Sequence, residues 1–65
     1  MQIKLNGELR ETDAATLDQL VAGYQLSPEA VVIECNGVIA QKHAWAATSL
    51  HDGDQIEIIS FVGGG

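Results

Sequence analysis

The sequence predicts an α+β fold: a mixed sheet of four to five strands with one main helix packed on one of its faces. Three observations carry this expectation. Two Asn-Gly pairs, Asn6-Gly7 and Asn36-Gly37, each sit between strand-like runs. Asn-Gly is the strongest short-range hairpin signal, because both residues tolerate positive φ. Between the two pairs lies an amphipathic stripe, Leu17, Leu20, Val21 and Tyr24, spaced i, i+3, i+4, i+7, the period of a helix with one apolar face. Residues 55–62 then form a long apolar run, the pattern of a well-buried strand.

Taken in order, Met1 to Leu5 alternates apolar and polar side chains, as a half-buried strand does. The Asn6-Gly7 turn leads into a return strand over residues 8–12, with Leu9 on one face and Arg10 on the other; its weak alternation suggests an edge. Thr16-Leu17-Asp18-Gln19 fits a capping box, in which Thr16 accepts from the third helical N–H and Gln19 reaches back. The helix runs two to three turns, is weakened by Gly23 and has ended before Pro28. Val31 to Cys35 reads as a β-branched, mostly buried strand, and Asn36-Gly37 turns it into a short extended segment, residues 38–40. Residues 42–50 form an irregular connection around Trp45, read as a lid over the open end of the core. After the turn at residues 51–54 comes the last strand, whose length and apolarity place it centrally, beside the first. This order, with one helix crossing over the sheet, is the β-grasp architecture, and it leaves the second face of the sheet without a helix.

The totals bound the rest. With 65 residues the chain is expected to be a single domain over 1–65, since so short a chain buries only about 60% of its unfolded surface. An apolar fraction of 46% argues against disorder. The single Cys35 excludes an internal disulfide, and no run approaches the roughly 20 apolar residues that cross a bilayer. With no secretory segment, a soluble cytoplasmic domain is expected. Lys4, Arg10 and Lys42 are outnumbered by nine acids, for a net charge of −6. That balance excludes a phosphate-neutralising nucleic-acid surface and disfavours anionic membranes, and it suits either steering toward a basic partner or simple solubility, which charge alone does not separate.

Other chemistry is thinly represented. Cys35 alternates with Val31 and Ile33 and reads as a small core residue. His43 and His51 lack further zinc ligands. Asp52 and Asp54 flank Gly53 as turn residues do, without the further acids of a calcium loop. The closing glycines follow a strand and open no helix, so they form no phosphate cradle. No catalytic residue, bound cofactor or metal is expected, and the chain is not read as an enzyme.

The closing residues are more informative. The apolar run passes through Phe61 and Val62 directly into Gly63-Gly64-Gly65, where the sequence stops. Glycine has no Cβ, so such a tail, expected to be flexible over residues 62–65, can enter a narrow channel in extended form. At about 3.3 Å per residue it carries a carboxylate roughly 13 Å beyond Phe61. A frayed terminus would read the same way. On the last strand, Ile56, Ile58 and Ser60 alternate with Glu57, Ile59 and Phe61. If Ile56 and Ile58 pack under the helix, Ile59 and Phe61, with Val62, form an apolar patch on the uncovered face at the root of the tail, the mark of an interface; a loop over that face, or a strand that is core on both sides, would read the same way.

Together the element order, the length, the stretch Leu50-His51-Asp52-Gly53-Asp54-Gln55-Ile56-Glu57-Ile58-Ile59 and the closing Val62-Gly63-Gly64-Gly65 resemble the thiamine-biosynthesis sulfur carriers, small ubiquitin-like β-grasp proteins. Asn36-Gly37-Val38 and Trp45 extend the likeness over nearly the whole chain. One departure is Lys42-His43, where many relatives carry an arginine. The resemblance implies that Gly65 is adenylated by a partner E1-like enzyme using ATP and magnesium. A sulfur donor, such as a cysteine desulfurase persulfide system, then converts it to a thiocarboxylate, and thiazole synthase takes the sulfur. Gly63 and Gly64 would thread the tail, and the free carrier would be monomeric. Three other readings compete: a molybdopterin-synthase small subunit, a modifier conjugated to protein lysines, and a β-grasp binding module with an idle tail. The first typically runs longer, with prolines or bulkier residues before its glycines.

Overall fold

The computed structural model describes residues 1–60. Strands β1 (Gln2–Leu5) and β2 (Glu8–Glu11) form an antiparallel hairpin, followed by helix α1 (Leu17–Gly23). A 3-10 turn at Pro28–Ala30 enters β3 (Val31–Cys35), which pairs antiparallel with β4 (Val38–Ala40). A second 3-10 segment, Lys42–Ala47, leads toward β5 (Gln55–Ser60). The five strands lie in the order β2-β1-β5-β3-β4. The last strand is therefore central, as expected, parallel to β1 and antiparallel to β3.

The hairpins form for the reason their sequences suggest. Asn6 and Gly7 adopt φ of 50° and 85°, and Asn36 and Gly37 adopt 54° and 85°. Positive φ at both central positions is the turn whose twist matches that of the flanking strands. On β2 every residue is exposed, and Glu8, Arg10 and Glu11 place charge along this outer edge, which discourages pairing with another sheet.

The core lies between α1 and one face of the sheet. Ile3 and Leu5 of β1, Val31 and Ile33 of β3 and Ile56 of β5 point into it. Leu17, Leu20 and Val21 close it from the helix, and Trp45 and Leu50 seal it from the connection. Trp45 is 3% exposed and its indole N–H donates to the carbonyl of Ala40 at 3.0 Å, the partner a buried indole requires. Among the described residues no buried side-chain nitrogen or oxygen lacks a hydrogen bond, and no helix is long and apolar enough to cross a membrane.

Three details depart from expectation. The capping box expected on Thr16 is not made. Gln19 does reach back, but its Oε1 accepts from the Ala15 N–H at 2.8 Å, while the Thr16 hydroxyl turns to the Asp18 carboxylate and caps no helical N–H. The first helical N–H, that of Leu17, goes instead to the Thr48 carbonyl at 3.1 Å, a tertiary cap that sequence spacing does not register. Tyr24, counted on the apolar stripe, lies past the helix and is 42% exposed. The chain leaves the helix there: Gln25 takes φ of 59°, and the Leu26 N–H returns to the Val21 carbonyl at 3.3 Å, a left-handed C-terminal cap without the usual glycine. Cys35, read as core, is half-buried at the strand end.

Candidate functional site

The sequence directs attention to the end of β5, where the chain passes toward the glycines. Sequence-predicted residues Phe61, Val62, Gly63, Gly64 and Gly65, including the expected flexible tail 62–65, lie outside the described residues. What the structure places is the platform on which they stand.

That platform is held from both sides. On the β3 side, the Asn36 N–H donates to the Gln55 carbonyl at 2.7 Å, and the Asn36 side-chain oxygen accepts from the Gln55 N–H at 2.9 Å. On the β1 side, the Asn6 N–H donates to the Ile56 carbonyl at 2.9 Å, and the Asn6 Oδ1 accepts from the Ile58 N–H at 2.8 Å. Each hairpin asparagine thus both makes its turn and clasps β5. Sequence reading found the turns and missed the clasps, because only the folded sheet brings these side chains to the strand.

The turn before β5 is built by its acids. Asp52 Oδ1 accepts from the Gln2 N–H at 2.8 Å, and Gly53 at φ 87° donates its N–H to the Gln2 carbonyl at 2.8 Å. Asp54 accepts from the His51 N–H at 2.8 Å and from the Asn36 amide at 3.1 Å. Both carboxylates therefore serve turn chemistry, as expected. Among the described residues no group of three or more His, Cys, Asp and Glu side chains is placed to hold a metal ion. Burial, and secondarily the Asp54 carboxylate, push the Cys35 thiol above its ordinary range, which makes it a poor nucleophile at neutral pH.

On β5 the alternation holds through the described residues. Ile56 is fully buried and Ile58 half-buried against the core, whereas Ile59 is 50% exposed on the uncovered face. Ile59 lies opposite half-buried Val32, and Glu57 lies opposite Glu34, with exposed Ile39 beyond it on β4. The uncovered face therefore has an apolar end nearest the tail and an acidic middle. Of the expected interface residues, Ile59 is placed there.

On the helix side an open groove of about 310 Å³ runs beside the end of β5. Leu5, Tyr24, Leu26 and Ile58 line it together with the polar Asn6, Arg10 and Ser60. Exposed Tyr24, taken out of the core by the left-handed Gln25, is thereby one wall of this groove. A second open groove of similar size lies between the β2–α1 loop and the helix, around Asp13 and Gly23.

Comparison with known proteins bears on this geometry. The model of the ThiS family matches residues 3–65. The sulfur carrier protein ThiS of Bacillus subtilis is 40% identical over 65 residues, covering 97% of this chain and 98% of that protein. A thiazole synthase of Magnetococcus marinus is 39% identical over 66 residues, covering all of this chain; the chain spans 20% of that relative's length. The crystal structure of the thiamine biosynthesis protein ThiS from Geobacter metallireducens superposes with a TM-score of 0.83 at 32% identity, covering both chains completely. A five-stranded mixed sheet crossed by one helix, the same fold in a solved ThiS structure and a family match along almost the entire sequence lead to one conclusion: the chain belongs to the ThiS family of ubiquitin-like β-grasp proteins.

Proposed function

We propose that this sulfur carrier of thiamine biosynthesis holds its sulfur as a thiocarboxylate on Gly65 and hands it to thiazole synthase. The family match over residues 3–65, which runs through the closing glycines, carries the reading. It is supported by the near full-length likeness to the Bacillus subtilis carrier and by the thiazole synthase that contains a segment like this chain. These likenesses favour the thiamine pathway over the molybdopterin reading.

The chemistry assigns the work to partners. A carboxylate is a poor electrophile because oxide is a poor leaving group. An E1-like partner, using ATP and magnesium, joins the Gly65 carboxylate to AMP with release of pyrophosphate. A persulfide sulfur, such as a cysteine desulfurase supplies, attacks the carbonyl carbon and AMP departs. A second thiol cleaves the remaining S–S bond and leaves the thiocarboxylate. The carrier supplies no acid, base, metal or bound cofactor for these steps and is not a catalyst. Its part is presentation: Gly63 and Gly64 thread the channel, while Ile59, Phe61 and Val62 dock. We place this exchange in the cytoplasm, with the free carrier monomeric.

The test is the intact mass of the chain after incubation with ATP, magnesium, a persulfide donor and the adenylating enzyme, beside a Gly65-deleted control. The expected result is a gain equal to exchange of one oxygen for sulfur, absent from the control. A wild-type chain that stays unchanged beside an enzyme active on its own carrier would overturn the reading.

A further inference from the structure

The two sides of β5 are not equally occupied. Gln55, Glu57 and Ile59 turn their backbone groups toward β3, in the register that continues from the Asn36–Gln55 pair. Ile56, Ile58 and Ser60 turn theirs toward β1. Pairing with β1, however, ends at Leu5 opposite Ile56, because the chain then turns away at Asn6-Gly7. Asn6 prolongs the ladder by one step with its own N–H and side-chain oxygen. Beyond that, the Ile58 carbonyl and the Ser60 N–H meet no partner among the described residues. A central strand thus ends in a short open edge.

The vacant pair has a direction. In a parallel ladder one residue donates its N–H to the carbonyl of residue i and accepts from the N–H of residue i+2. Asn6 satisfies the Ile56 carbonyl and Ile58 N–H in that pattern, with its side chain standing in for its backbone oxygen. The Ile58 carbonyl and Ser60 N–H repeat the pattern one step on. A residue entering there would carry its neighbours' side chains over the groove walled by Leu5, Tyr24, Leu26 and Ile58. Strand addition beside a side-chain groove, here with Arg10 among its apolar residues, is a recurrent way to bind an extended segment.

We propose that this edge binds an extended segment of thiazole synthase as an added strand, parallel to β5, with an apolar side chain in the groove. The proposal rests on the function given above. Gly65 lies five positions after Ser60, at most about 18 Å of extended chain, so a partner whose active site holds Gly65 must also lie beside this edge. The thiazole synthase of Magnetococcus marinus holds a segment like this chain, 20% of its length, within its own polypeptide. That favours the synthase over the adenylating enzyme as the occupant.

Amide hydrogen exchange of the labelled carrier, free and saturated with its thiazole synthase, tests this directly. The Ser60 amide should slow at least tenfold on binding, while Ile58, already held by Asn6, changes less. Ser60→Pro removes only an N–H that faces the open edge, so it should weaken synthase binding at least tenfold while the unfolding midpoint stays near wild type; the exchange result decides even where this variant is less stable. Synthase binding with no change at Ser60 overturns the proposal and leaves the sulfur-carrier reading standing, whereas failure of the wild-type chain both to load sulfur and to bind overturns the two together. Ser60 protection given by the adenylating enzyme alone overturns the assignment to the synthase. Protection already present in the free chain does so in favour of its own following residues, or of a second copy if it disappears on dilution.

Discussion

Asn6 and Ile58, 52 positions apart, are joined by a 2.8 Å hydrogen bond from the Ile58 N–H to the Asn6 side-chain oxygen. The same asparagine holds φ of 50° in the first hairpin turn, so one residue sets a local bend and fastens the central strand. Its two roles separate by substitution. Asn6→Gly keeps the left-handed turn and loses the bond, which should cost about 1 kcal/mol in urea unfolding. Asn6→Ala adds the left-handed penalty and should cost about 2 kcal/mol. Asn6→Asp keeps an acceptor and should fall closest to wild type.

Gln25 carries the left-handed cap of α1 at φ 59°. Gln25→Gly relieves that backbone at some cost in chain entropy and should raise stability by about 0.5 kcal/mol. Gln25→Val, β-branched, should lower it by about 1 kcal/mol or more. Thermal melts of the pair, with opposite shifts, check the assignment.

Lys42 and Glu29 pair at 2.7 Å across the two 3-10 segments. The hydrogen bond from Lys42 is the leading cause that holds the Glu29 carboxyl below its ordinary value of 4.5. A depressed folded value means the pair stabilises above that pH and loses its contribution as pH falls through the folded value. Lys42→Met should therefore flatten the acid side of the stability profile below about pH 4.5 and leave its neutral shape alone. Both side chains are exposed, so the effect should be small and should fade in high salt.

Ile59 stands half-exposed on the uncovered face, with Val32 opposite. Ile59→Asp should lower partner affinity at least tenfold, by about 1.4 kcal/mol or more, with a smaller loss of folding stability. Calorimetric titration with each partner, beside a melt of the free variant, reads the two effects separately. A melt that collapses would instead make this side chain part of the core.

What was legible in the sequence follows from what is encoded locally. Asn-Gly pairs favour positive φ at both residues, and a strand as long and apolar as β5 is costly to leave at a sheet edge, so the hairpins and the central position of β5 could be read directly. Tyr24 escaped because a stripe at i+7 presumes a helix that continues, and this one turns left-handed at Gln25. Cys35 fits the alternation of β3 but sits where the strand meets an exposed turn. The clasp of Asn6 on Ile58 and the open edge at Ser60 depend on β1 being shorter than β5, a relation between segments half a hundred residues apart. The glycines carry the proposed chemistry in the sequence itself, while the position of the strand before them is a product of pairing.

The parallel match of Lys4 with Gln55 also has a consequence for biosynthesis. As the chain emerges from a ribosome, β1 waits beside a vacant place until β5, about fifty residues later, has been made. Such long-range pairing slows folding and makes it a late, all-at-once event. The sheet has no stable half without its middle strand, and the glycines follow that strand. A partner that grips β5 before accepting the tail would therefore accept only carriers whose folding is complete.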